Sequence, residues 1–440
     1  MEFRNLTPFD TLCYSALDPN DDEHRVIAMK VAYRLVRQGD GSWRAQLIDD
    51  EPVPLCMGDE YWGEPGASSV RQESDLAPFK PRCDVLVFGQ AHAPGGRAAT
   101  QWETRLKVTV LEAPAVEAVY EQKAQWQPGR QRYVSRPGFE QTKEKVQKVL
   151  LDKRLWIFGP HTFQRQSMGS GWKRTAPQAI TELPLRWDHA FGGASLVRDD
   201  ADPTAEPLLH EVCFSNPLGS GWLDKREPRI RRKAGQQERK EITAPQIVQS
   251  DEPLPAPVMG EHPEGSVDAR KMAELAHAYG VAPAGYGPLG RAWAPRLALA
   301  GTYDDTWLQT RHPGVPSDID FRYWNGAPDD QQLPYLPPDF CLEAWNLTPH
   351  ATTGGHVRVV MPGHRPFLLM RMDSGVMLPL PMITDTVILD TEAMTLTLTH
   401  RTWIPAGSPG IRVLEARFEV DPAEPLVRRA PKNSSALQEA

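Results

Sequence analysis

The side chains best placed by type and spacing to do chemistry are three histidines, His350, His356 and His364, which fall within fifteen positions. With Asp339 or Asp373 they would supply the nitrogen and oxygen donors of a zinc site. Their separations of six and eight residues fit no standard zinc pattern, and histidines at strand ends and in turns are the plainer account. The acidic pairs Asp304-Asp305, Asp318/Asp320 and Asp329-Asp330 offer carboxylates for a hard cation or for acid and base work. Aspartate ahead of Gly, Pro or aromatic residues also ties its own backbone, so capping and turn roles are the favoured reading. The linear signatures of a GxSxG nucleophile elbow, HExxH, a Walker loop and an EF-hand are missing. Gly169-Ser170-Gly171-Trp172 recurs as Gly219-Ser220-Gly221-Trp222, with Phe191-Gly192-Gly193 between them. A phosphate cradle needs a strand before and a helix N-terminus after, which neither copy has, so tight turns anchored by tryptophan are expected.

The elements that must position such residues read as strands. In Val26 to Leu35, the residues Ile27, Met29, Val31, Tyr33 and Leu35 alternate with Lys30 and Arg34, the pattern of a half-buried strand. Gly39 to Gly41 turns the chain before Trp43 to Ile48. Cys83 to Phe88, a turn at Ala93 to Gly96, and the alternating Thr104 to Leu111 predict a hairpin, and Val146 to Phe158 predicts a second one turning at Asp152-Lys153. Glu140 to Lys148 is alternatively a short helix. Further strands are expected at His356 to Val360, Phe367 to Met372, Val387 to Leu389, Met394 to Thr399 and Leu414 to Val420. The expected class is mainly β, with antiparallel sheets, sandwich-like or barrel-like, long Pro/Gly-rich loops and few short helices. The β-rich ends are either separate sheets or parts of one.

The parts are an N-terminal β-rich segment, 1–165, a loop-rich middle, 166–290, a C-terminal β-rich segment, 291–421, and a flexible tail, 422–440. In the middle, residues 225–241 carry eight basic and three acidic residues and read as a solvated loop. A short helix is expected over residues 266–279, capped by Ser266 and ended by Gly280.

Composition narrows the function classes. The 49 Lys and Arg against 57 Asp and Glu leave a net charge of -8, which disfavours nucleic acid as a partner. Five scattered cysteines build neither a disulfide framework nor a CxxC ribbon, which points to a reducing compartment. The opening Met1 to Thr11 lacks the apolar core of a secretory signal, and the apolar stretch Gly375 to Thr384, broken by Pro379 and Pro381, is far short of the ~20 residues of a membrane span. The expectation is a bacterial cytoplasmic protein with no membrane contact. Proline, at 42 of 440 residues, is about twice its usual frequency and suits short strands joined by turns.

Several ordered blocks resemble one family along nearly the whole chain. The most specific runs from Ser74 through Asp75, Phe79, Lys80-Pro81-Arg82-Cys83-Asp84 and Val87 to Gly89, His92, Pro94 and Gly95. Others are Leu155 to Pro160, Leu183 to Trp187, Asn216 to Gly219, Gly285 to Leu289, Ala300 to Trp307 and Asn325 to Gln331. They are similar to the domain of unknown function 2169 family, found with type VI secretion effectors. The resemblance implies a non-enzymatic adaptor or chaperone that binds an effector, or its PAAR-type tip or VgrG spike component, for loading. It brings no catalytic residues and no cofactor. Within the motif, Pro81 and Pro94 would restrict a strand pair and Lys80, Arg82 and Asp84 would pair across it. The expected partner-binding patch is Arg322, Tyr323, Trp324 and Asn325 with Asp329 and Asp330, since aromatics and arginines anchor interfaces. The alternative is a metal-dependent hydrolase or toxic effector using the scattered His and Asp residues.

Overall fold

The computed structural model describes residues 1–63, 65, 68–112, 125–126, 133–134, 146–165, 172–189, 196–197, 208–209, 222–224, 232, 235, 241–251, 258–260, 284–291 and 294–427. The expected helix at 266–279, the turns at Gly169 to Gly171, Phe191 to Gly193 and Gly219 to Gly221, nearly all of the basic loop and the end of the tail lie outside them.

The alternating segment becomes strand Glu23–Arg37, and its five apolar residues enter the core as expected. It pairs antiparallel with strands Thr11–Leu17, Trp43–Ile48 and Thr395–Pro405. Beyond the last of these lie Ile383–Asp390, Cys83–Phe88 and Gln332–Leu333, completing a seven-stranded sheet. Cys83–Phe88 runs parallel to Ile383–Asp390, with Asp84 opposite Thr386 and Val87 opposite Leu389. The first predicted hairpin therefore does not form. The turn at Pro94–Gly96 hands the chain to a different sheet.

That second sheet has six strands. Gln101–Glu112 sits between Val146–Arg165 and Cys341–Trp345, and His356–Val360 follows outside. Glu241–Val248 and Trp172–Arg174 pair with the far half of Val146–Arg165. The second predicted hairpin is thus one 20-residue strand. Asp152-Lys153 does not turn because both residues stay in ladder register with Lys107 and Leu106, and the bulge in that ladder falls earlier, between Val149 and Leu151. A four-stranded sheet adds Glu2–Asn5, Ile411–Glu419, Arg365–Met372 and the edge strand Met377–Pro381.

One face of each large sheet meets a common core. Met29, Val31, Val85, Val87, Val387, Leu389, Leu396 and Leu398 pack in the same cluster as Leu106, Val108, Leu155, Ile157, Leu342, Ala344, Val357 and Val359. The four-stranded sheet contributes Leu368, Leu414 and Ala416. The two β-rich ends therefore share sheets, because strands from both ends bury their alternate residues against one another. The class is mainly β with several antiparallel sheets, and the described strands close no barrel. No helix among the described residues is long and apolar enough to cross a membrane.

Candidate functional site

The second face of the seven-stranded sheet is polar by sequence and buried in the fold. Lys30, read as a solvent-side residue, is 3% exposed, and its Nζ donates to Asp75 Oδ2 at 2.7 Å. The same carboxylate accepts from the Cys56 amide at 2.7 Å and, through Oδ1, from Thr399 at 3.0 Å. Arg401 donates from Nε to Asp385 at 2.5 Å and from Nη1 to the Tyr14 hydroxyl and the Asp75 and Ala77 carbonyls. Lys80 donates to Asp84 and to Thr386, each at 2.9 Å, and Thr386 donates to Asp385 at 3.0 Å. Three cations and three carboxylates are thereby joined out of water. Burial opposes charge on Lys80, but Asp84 and Asp385 outweigh it and raise its pKa. Asp75, Lys80 and Asp84 are motif residues, so the most specific block of the sequence builds an internal ion network. Lys80 and Asp84 do pair, but four residues apart within one segment rather than across a hairpin, and Arg82 reaches the Gln332 carbonyl.

The expected patch docks onto this network. Asn325 is 1% exposed and donates from Nδ2 to the Arg82 carbonyl and Asp84 Oδ1, and the Gly326 amide donates to Asp84 Oδ2. Asn325 therefore belongs to the interior. Asp330 accepts from Lys153 Nζ at 2.9 Å, while the neighbouring Gln331, fully buried, donates to the Val85 and Tyr286 carbonyls. Lys153 itself is buried beside Tyr286, which lowers its pKa against the pull of Asp330. Tyr323 and Trp324 are half-buried, with Arg296 and Arg291 stacked over their rings. Arg322, paired to Asp320, and Asp329 are exposed.

The three histidines are not brought together. His350 Nε2 donates to Asn346 Oδ1 at 2.9 Å, His356 stacks on Trp345, and His364 meets the Tyr33 hydroxyl at 3.1 Å. Among the described residues, no group of three or more His, Cys, Asp or Glu side chains is placed to hold a metal ion. Asp304 caps the helix Asp305–Thr310 and Asp320 caps the turn Phe321–Trp324, the local roles favoured from sequence, whereas Asp318 takes the amide and hydroxyl of Thr302, sixteen residues away.

The open face of the six-stranded sheet has a different character. Trp345 stands in register between Arg105 and His356, with the His356 ring stacked at 4.6 Å and the Arg105 guanidinium 4.7 Å from the indole. The next row carries Arg358, Glu343, Lys107 and Asp152, and Arg154 and half-buried Trp156 extend the face along Val146–Arg165. Arg105 grips Asp152 with two hydrogen bonds of 2.6 Å, which hold that carboxyl below the usual carboxylate range. Arg154 and Arg358 remain more than half exposed. Tryptophan and arginine at the centre of a surface are the residues that most often anchor a protein interface. Sequence reading took Arg105 and Lys107 only as a polar face and passed over Cys341–Trp345. The alternation of Leu342 and Ala344 against Glu343 and Trp345 is the signal that would have found it.

Residues 20–401 match the family described as "Uncharacterized protein conserved in bacteria (DUF2169)". The chain belongs to this family, and the match spans the ion network from Lys30 to Arg401. No curated protein and no solved structure matches the chain.

Proposed function

We propose that this protein is a non-enzymatic adaptor or chaperone of type VI secretion, acting in the bacterial cytoplasm by binding an effector or its PAAR-type or VgrG spike component for loading. The secretion context rests on the resemblance of the ordered motifs. The observation that carries the binding role is the open sheet face on which Trp345 stands between Arg105 and His356. These groups stand on paired strands of a six-stranded sheet, so a partner meets preset aromatic and guanidinium groups with little ordering cost. The chain's buried carboxylates and lysines, by contrast, are engaged with one another inside the fold.

The test is co-expression with the products of neighbouring genes, followed by affinity purification. A spike or effector protein should co-purify, and Trp345→Ala combined with Arg358→Glu should weaken the complex by about 2 kcal/mol or more, the loss typical of an interface anchor. Absence of any complex with those products would remove the basis of the adaptor reading. Retention of full affinity by the double variant would move the interface elsewhere.

A further inference from the structure

The motif segment Gly89 to Gly96 does more than connect two sheets. Strand Gln90–His92 pairs with Glu182–Pro184, and the turn after it leans on the short helix His350–Thr353. Between them opens a cleft of about 540 Å³ walled by Gln90, His92, Glu182, His350 and Glu392. Its walls are fixed by close packing. Gly355 has φ +85°, and a Cβ there would fall 2.2 Å from the His350 ring, so only glycine lets that ring lie flat against the chain.

The charges of the cleft are one-sided. His350 is fully used: its Nδ1 accepts from the Gly95 amide at 3.0 Å and its Nε2 donates to Asn346. Glu392 spends one oxygen on Gln90 Nε2 at 2.7 Å. Glu182 is 54% exposed, and the cationic candidate beside it among the described residues, His92 Nδ1, is 3.8 Å away, too far for a hydrogen bond. Burial lowers the His92 pKa against the pull of Glu182, and its Nε2 is out of solvent without a partner. No lysine or arginine is among the lining residues described. Two under-used carboxylates beside a largely buried imidazole favour a cation with several N–H donors.

The cleft also joins the open sheet face. Asn346, next after Trp345, holds His350 with its side chain, accepts from the His92 amide through its carbonyl, and donates to the Glu103 carbonyl. We infer that the Gln90/His92/Glu182/Glu392 cleft receives a basic side chain, arginine or lysine, from the protein partner that docks on the adjoining sheet face. This rests on the adaptor reading for the identity of the partner as a protein, and on the cleft itself for the chemistry.

The experiment uses the free full-length protein, labelled in its histidine rings, titrated with N-acetyl-argininamide and with N-acetyl-lysinamide. N-acetyl-citrullinamide serves as the neutral control, and His92→Gln assigns the His92 signal. The expected result is a saturable shift of the His92 resonance with a cationic probe, little with citrulline, and its loss in Glu182→Gln/Glu392→Gln. Both of those side chains are on the surface, so the double variant should fold, which the unchanged remaining histidine signals would verify. In the co-purified complex the same variant should weaken binding about tenfold or more. An absent shift, an equal shift with citrulline, or a response to Ca²⁺ alone would overturn the inference. Failure here with an intact complex would leave the adaptor reading standing. A cationic shift without any co-purifying partner would sink the adaptor reading instead.

Discussion

Two sheet faces in this protein carry ion pairs of the same chemistry in opposite surroundings. On the seven-stranded sheet, Arg401–Asp385, Lys80–Asp84 and Lys30–Asp75 lie almost wholly out of water. On the six-stranded sheet, Arg105–Asp152 and Arg154–Glu103 stand in or near solvent. Burial makes each charge of the first set depend on its partner, since an ion left alone there has no water to turn to. Exposure makes the second set individually dispensable, because water and salt already screen it. The first face fixes the fold, and the second is free to meet another molecule.

The sharpest way to break this contrast is Arg401→Leu. It leaves Asp385 charged and buried and strips Tyr14 and two carbonyls of a donor. A loss of about 3–5 kcal/mol is expected in urea denaturation. A change under about 1 kcal/mol would show that the network is not held as described.

Next in size is Gly89→Ala, at the exit of the motif strand. Gly89 has φ +121°, and a Cβ would sit 2.0 Å from Thr391 Oγ1, which itself donates to the Phe88 carbonyl. Strain and the displaced hydrogen bond should together cost about 2 kcal/mol or more, read as a lowered denaturation midpoint.

A third test uses pH. Burial holds the His400 imidazole down to about 3, against an ordinary value of 6.5. The fold keeps it neutral while the unfolded chain takes up a proton below pH 6.5, so stability falls as the pH drops from there, and this loss ends only near pH 3. The slope from this one group is at most about 1.4 kcal/mol per pH unit. Urea midpoints compared on the acid side of neutrality should fall less steeply in His400→Gln than in the parent protein, and equal slopes would show that His400 is accessible to protons in the fold.

The smallest effect belongs to the open face. Asp152→Asn removes the partner of Arg105 from a solvent-facing pair, and about 0.5 kcal/mol or less should be lost, declining further in high salt. A loss as large as that of Arg401→Leu would erase the distinction between the two faces.

Much of the secondary structure was legible in the sequence. Period-two alternation located the strand around Val26 to Leu35 and most of Leu414 to Val420, where Val420 falls past the strand end and is exposed, and strands also stand where expected at His356 to Val360 and Phe367 to Met372. Pairing was not legible. Cys83–Phe88 and Gln101–Glu112 looked like neighbours across a short turn, yet each found partners more than 200 residues away in Ile383–Asp390 and Cys341–Trp345. Local spacing cannot decide between such partners, since strand ladders are satisfied by any strand of suitable pattern.

The candidate surface shows the same division. From Asn325, Asp329 and Asp330 alone, a polar exposed patch was a fair expectation. The fold seals Asn325 onto Asp84, while Asp330 stays about half exposed and accepts from Lys153. The sequence by itself determined the family, the β class and the residues able to form ion pairs and aromatic contacts. Only the tertiary structure decided which of those residues are sealed inside and which face outward. An alternating strand has two faces, and what covers the polar one is set by distant segments of the chain. Lys30 is buried by the segment that contains Asp75, whereas Arg105 and Trp345 stay partly exposed on an open sheet face.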